Sequence, residues 1–162
     1  MAGLDQRKTF LEIGCYEGRS TCWTLQNGLD VGGTIYCVDS YDGMQDVHDR
    51  FWDNVREVMD KRMVVLVRDT SYNAMASMIT QKKEFDFIYV DGEHAPDVAL
   101  TDVCMAWGLL KQGGIMLCDD YEYDIKPTKI GLDGFLQAFK GKYDLVLQNY
   151  QLAVRKKWTH TT

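Results

Sequence analysis

The segment Phe10-Leu11-Glu12-Ile13-Gly14-Cys15-Tyr16-Glu17-Gly18-Arg19-Ser20 limits what this chain can fold into more than any other stretch. An apolar run meets an acidic residue, crosses two glycines four positions apart and opens into a helical pattern. An open α/β sheet builds nucleotide sites in this way. The glycines let the backbone turn tightly and approach a ligand, and the next helix presents its free N–H groups. Gly14, Cys15, Tyr16 and Gly18, with Ser20 at the helix opening, are therefore candidate ligand contacts. The spacing is not that of a dinucleotide-binding loop.

Strand-like and helical segments then alternate, which predicts a doubly wound, Rossmann-like α/β fold with helices on both faces of a mostly parallel sheet. Parallel strands are expected over residues 9–13, 34–38, 63–67, 85–90 and 115–118, and helices over about 20–28, 47–61, 72–81, 95–110 and 131–139. Val47, Phe51, Val55, Val58 and Met59 fall at helical spacing. Gly113-Gly114 is read as the stop of the fourth helix. Pro96 suits a first helical turn, whereas Pro127 is placed in a loop. Residues 143–149 and 151–156 are joined too tightly for a crossover and require an antiparallel hairpin, giving seven strands in all. The 162 residues suffice for a single domain spanning 1–162.

Ligands of such sheets lie at the carboxyl ends of the strands. Those ends read Glu12 with the glycine loop, Asp39, Asp69-Thr70-Ser71, Asp91-Gly92-Glu93-His94 and Asp119-Asp120-Tyr121. Each of the five delivers a carboxylate to one edge. Gathering carboxylates is costly unless cations or donors answer them, so this edge predicts a cationic or hydroxyl-rich ligand, a metal ion, or both. Asp39, about 20 residues past the glycines and followed by Ser40, is placed to accept both ribose hydroxyls of an adenosine. His94 is read as a base or orienter there, and His48 and His160 as surface residues. Thr70 or Ser71 serves equally well as a helix N-cap. Tyr121, Tyr123 and Trp107 either flank a ring-shaped substrate or fill the core, and Tyr41 and Met44 either cover an adenine or pack inside.

A net charge of −6 argues against a broad nucleic-acid-binding face. Arg155-Lys156-Lys157 is the one tight basic cluster and reads as a solvated strand end. No apolar run is long enough to span a membrane and no secretory h-region is visible, so no membrane partner is expected. Five cysteines, at 15, 22, 37, 104 and 118, contain no Cys-x-x-Cys pair and read as reduced thiols of a cytoplasmic protein.

Glu12-x-Gly14-x-x-x-Gly18 resembles motif I of the class I S-adenosylmethionine-dependent methyltransferases. Tyr89-Val90-Asp91-Gly92-Glu93-His94, followed by Gly113-Gly114-Ile115-Met116-Leu117-Cys118-Asp119-Asp120-Tyr121, resembles small-molecule and sugar O-methyltransferases of the macrocin type. Catechol O-methyltransferases share the underlying arrangement. The likeness covers residues 10–121. It implies S-adenosylmethionine as cofactor, with Glu12 beneath the loop near its cationic end, Asp39 on the ribose, Asp69 and Thr70 near the adenine, and Asp91 and His94 also in contact with the cofactor. It implies Mg²⁺ on Asp91, Asp119 and Asp120, with Asp91 or His94 accepting the proton of a small hydroxylated acceptor. Metal contact lowers a hydroxyl pKa, which suits attack by oxygen on a methyl group.

The chain enters its first strand after only a few residues, so the acceptor site is expected to be open or completed by a second copy in a homodimer. The acid-rich stretch 119–124, followed by 125–129, is the candidate lid. Two rivals stand: a nicotinamide-dependent oxidoreductase, disfavoured by the loop spacing, and a cofactor-binding module without catalysis.

Overall fold

The computed structural model describes residues 8–122 and 127–158. Its elements run β1 (Thr9–Ile13), α1 (Arg19–Asn27), β2 (Thr34–Asp39), α2 (Gln45–Val58), β3 (Met63–Arg68) and α3 (Ser71–Thr80). They continue with β4 (Phe85–Val90), α4 (Pro96–Leu109), β5 (Leu110–Cys118), α5 (Thr128–Ala138), β6 (Tyr143–Gln148) and β7 (Leu152–Lys156). One seven-stranded sheet has the order β3-β2-β1-β4-β5-β7-β6. Strands β1 to β5 pair in parallel, and β7 runs antiparallel to both β5 and β6. This is a Rossmann-like, doubly wound sheet with the expected closing hairpin. Strand order reverses between β1 and β4, and a crevice opens at such a switch point.

Alternating residues send the two faces of each strand into different cores. Leu11, Ile13, Ile88, Val90, Met116 and Cys118 pack beneath α3, α4 and α5. Phe10, Ile35 and Cys37 pack beneath α1 and α2 with Leu25, Phe51 and Val55. The apolar stripe expected of the second helix is thus the face it buries.

Two expectations fail at the end of α4. The helix stops at Leu109, and Leu110 turns extended (ψ 128) directly into β5. Gly113 and Gly114 lie inside that strand, where its pairing with β4 slips between Phe85 and Phe87. Gly113 has φ +78, and a Cβ there would stand 3.2 Å from the Trp158 indole nitrogen. The glycines serve a bulge and not a helix stop. Lys156 meets the helix end instead: its Nζ donates to the carbonyls of Trp107 and Leu110 at 2.8 and 2.7 Å. It is therefore a C-terminal cap, with burial lowering its pKa, and not part of a solvated basic run. Arg155 is exposed, and Lys157 pairs with Asp144 at 3.1 Å. Pro96 opens α4 as expected, and Pro127 lies outside α5, directly before its first residue.

Candidate active site

The glycine loop is held by close backbone packing. Gly14 has φ +78, and a Cβ on it would lie 2.1 Å from the Asp91 carbonyl oxygen, so the end of β1 touches the end of β4. Gly18 has φ +83, and its missing side chain leaves room for Phe51 of α2, 3.0 Å from where a Cβ would sit. Between them Tyr16 adopts φ 44 and stands exposed, its carbonyl accepting the Tyr41 hydroxyl at 2.7 Å.

Asp39 organises this loop from β2. Its Oδ2 accepts the Cys15 and Tyr16 N–H groups at 3.1 and 2.9 Å, and its Oδ1 accepts that of Tyr41 at 3.1 Å. A carboxylate offers roughly four acceptor positions, so capacity remains toward the cleft that Asp39 lines. Glu12 is only 2% exposed and lies behind the cleft wall. Its oxygens accept the hydroxyls of Ser20 and Thr21, so it fixes the first turn of α1. Burial pushes its pKa up to about 7, against the pull of the Ser20, Thr21 and Cys37 hydrogen bonds and with a smaller push from Asp91.

The cleft has a volume of about 1140 Å³. Ser40, Asp69 and Thr70 line one end with Asp39; Gly14, Cys15, Tyr16 and Ser20 line its side; Asp91, His94 and Asp119 line its acidic end. Glu12, Gly18 and Asp120 stand behind this lining. Thr70 both lines the cleft and caps α3, accepting the Asn73 N–H at 3.3 Å.

At the acidic end, donor atoms of Asp91, His94 and Asp120 all lie within 4.8 Å of one another. His94 Nε2 is 2.8 Å from Asp120 Oδ2, and the Tyr150 hydroxyl donates to Asp120 Oδ1 at 2.5 Å. Asp119 turns the other way. Its Oδ2 accepts Tyr89 at 2.6 Å and its Oδ1 accepts Gln151 Nε2 at 3.0 Å, while the Tyr89 hydroxyl also stands 3.2 Å from Asp91. Burial, then the charges of Asp119 and Asp120, raise the Asp91 pKa to about 6. Burial and the neighbouring carboxylates push the Tyr89 phenol well up as well. Among the described residues no lysine or arginine ion pair reaches Asp91 or Asp119. Carboxylate oxygens beside one imidazole are a donor set that fits a divalent cation. The triad gathered here takes His94 where the sequence placed Asp119.

Tyr89, Tyr150 and Gln151 went unrecognised in the sequence. Tyr89 shares the strand face of Asp91, two residues on, and the hairpin turn carrying Tyr150 and Gln151 reaches the site because β7 lies antiparallel beside β5. Trp107 does not flank the cleft: it is buried against Phe135 and Phe139. Tyr121 is buried too, its hydroxyl donating to Asp133 and accepting from Lys129, each at 2.7 Å. Tyr41 packs in the second core, whereas Met44 lines the cleft. Tyr123, His160 and the centre of the candidate lid, 123–126, lie outside the described residues. No helix among the described residues is long and apolar enough to cross a membrane.

Comparison with known proteins bears on the family and the fold. The family model of a methyltransferase domain matches residues 11–121. No curated protein matches the chain. An O-methyltransferase from Bacillus cereus in complex with SAH (S-adenosylhomocysteine) is 20% identical, with a TM-score of 0.72 over 93% of this chain and 74% of that one. A protein described as an rRNA methylase from Clostridium thermocellum is 16% identical, with a TM-score of 0.74 over 94% and 88% of the two chains. The O-methyltransferase TomG from Streptomyces achromogenes, involved in tomaymycin synthesis and bound to SAM, is 16% identical, with a TM-score of 0.66 over 93% and 74%. The matched segment carries the glycine loop and all the strand-end acids described above, and the chain belongs to the methyltransferase domain family of S-adenosylmethionine-dependent enzymes.

Proposed function

We propose that this protein transfers the methyl group of S-adenosylmethionine to a hydroxyl of a small molecule, with a divalent cation, Mg²⁺ by the chemistry of its oxygens, at the acidic end of the cleft. The observation that carries this reading is the meeting of Asp91, His94 and Asp120 beside the glycine loop. Nicotinamide chemistry loses its support once the chain belongs to a methyltransferase family. The acid-lined cleft and the net charge of −6 also speak against a polyanionic acceptor such as RNA.

When bound, the cofactor supplies an electrophilic methyl group whose bond to sulfur breaks, the electron pair staying on sulfur, as the acceptor oxygen forms the new carbon–oxygen bond. Gly14 lets the loop backbone approach the ligand, Asp39 fixes the loop and faces the ribose, and Ser20 opens α1 toward the ligand's polar tail. Asp69 and Thr70 flank the far end. Asp91 and Asp120, with Asp119 beside them, would hold the cation, which would make an acceptor hydroxyl more acidic. His94 takes the hydroxyl proton, and Asp120, hydrogen-bonded to it, steadies the imidazolium that results. Asp91, Asp119 and Asp120 at one end of the cleft favour an enzyme over a module that only holds cofactor.

Asp119→Ala with Asp120→Ala tests the proposal. Methyl transfer should be lost while SAH binding persists; unchanged turnover on a hydroxylated acceptor contradicts it.

A further inference from the structure

One wall of the cleft runs on past Ser20, placed above at the cofactor's polar tail, into residues to which no cofactor contact is assigned. Arg19, Ser20, Trp23 and Thr24 occupy the cleft-facing stripe of α1, while Thr21 and Leu25 turn into the core. Trp23 is 64% exposed although it lines the cleft. Below it the lining continues over the sheet through Phe87 and Tyr89 of β4 and Leu117 of β5, ending at Gln151.

Among the described residues no helix covers the β5 end of this floor. Met116 and Cys118 are buried beneath the helices of the other face, whereas Ile115 and Leu117, pointing the opposite way, stay part-exposed. Among the described residues the helices on this side are α1 and α2, whose core residues meet β1, β2, β3 and Phe87 and no residue of β5 or β7. The cleft of about 1140 Å³ exceeds the roughly 300–1,000 Å³ of an ordinary small-molecule site, so it has room beyond a cofactor. The apolar arm joins the rest at Tyr89 and Asp119, beside the reacting centre. Arg19 is the one lysine or arginine on the described lining, against Glu17, Asp39, Asp69, Asp91, Glu93 and Asp119. An anionic occupant is therefore disfavoured.

We propose that this open sheet face seats the methyl acceptor, and that the acceptor is an uncharged, flat ring system bearing a hydroxyl. Its ring lies on Phe87 and Leu117 with one face against the Trp23 indole, and its hydroxyl points to Asp91. Trp23 is then a specificity-determining residue. A free sugar, with hydroxyls all round, leaves this surface poorly matched. The inference rests on the O-methyl-transfer reading for what the site does.

The test titrates 2-naphthol into the full chain, with and without saturating SAH and Mg²⁺, following naphthol fluorescence, with methyl glucoside as the sugar probe. The expected result is saturable 2-naphthol binding that weakens at least tenfold in Trp23→Ala and recovers to within about threefold in Trp23→Phe, with no competition from methyl glucoside. Trp23 is exposed on a helix, so both variants should fold, which thermal unfolding checks. Absent 2-naphthol binding, equal binding by Trp23→Ala, or competition by methyl glucoside overturns the seat. SAH binding without naphthol binding removes the seat and leaves methyl transfer standing. Trp23-dependent naphthol binding without SAH binding does the reverse.

Discussion

Asp120 and His94 lie 26 positions apart, yet His94 Nε2 stands 2.8 Å from Asp120 Oδ2. Each follows a parallel strand, β4 or β5, and adjacent strands in register bring their trailing loops together. Asp120 also takes the Tyr150 hydroxyl, so its two oxygens are both committed, one of them to the imidazole. This fixes the orientation of His94 relative to the cleft. His94→Ala should therefore lower kcat by about 10²-fold or more, within the range of general base catalysis. Asp120→Asn should lose a comparable part, while SAH affinity changes little in either. Steady-state kinetics beside calorimetry separates the two effects.

Gly14 and Asp91 are the tightest point of the site. A Cβ at Gly14 would meet the Asp91 carbonyl oxygen at 2.1 Å, a backbone clash that no side-chain rotation relieves. Gly14→Ala also forces an L residue to φ +78. The variant should lose SAH binding by at least about 100-fold or fail to fold, with destabilisation of several kcal/mol at least. Calorimetry and thermal unfolding read the two outcomes, and near-wild-type values of both contradict the geometry.

Glu12 makes stability depend on pH in a defined direction. Below its ordinary value of 4.5 the carboxyl is neutral in both the folded and unfolded chain. Between 4.5 and about 7 the unfolded chain ionises while the buried group keeps its proton, so folding loses stability as pH rises. Above about 7 the loss levels off, at about 3 kcal/mol. Glu12→Gln removes this slope. Its stability relative to wild type should improve from pH 4.5 to 8 in urea titrations, and parallel pH profiles would contradict the burial argument.

The divalent-cation reading predicts that chelation suppresses methyl transfer and that added Mg²⁺ or Mn²⁺ restores it. Tyr89→Phe removes the hydroxyl that holds Asp119 beside Asp91. It should raise the cation concentration needed for half-maximal activity by about 10-fold, the lower range for a partner of a metal ligand. An unchanged cation requirement counts against Asp119 having any part in the site.

The strand-end acids and the glycine loop were legible because both follow from chain order: a parallel sheet sends every strand end to one edge, and two glycines four apart mark a tight approach. The partners of those acids were less visible. Which way Asp119 turns depends on Tyr89 and Gln151, side chains brought together by a strand face and a hairpin. Gly113-Gly114 misled because a helix stop and a bulge use the same residue, and Lys156 took over the capping from the far end of the chain. Trp107 and Tyr121 illustrate the ambiguity of aromatics: one packs against Phe135 and Phe139, the other is buried beside Asp133.

Asp39 ties the account together, since it holds the glycine loop through the N–H groups of Cys15 and Tyr16 and faces the cleft. The most direct measurement is a calorimetric titration of SAH into the full chain and into Asp39→Ala with Mg²⁺ present, NAD serving as the control. The account predicts micromolar binding of SAH, at least about tenfold weaker binding in the variant, and no heat from NAD. Absence of SAH binding, or a saturable NAD signal in its place, would contradict it.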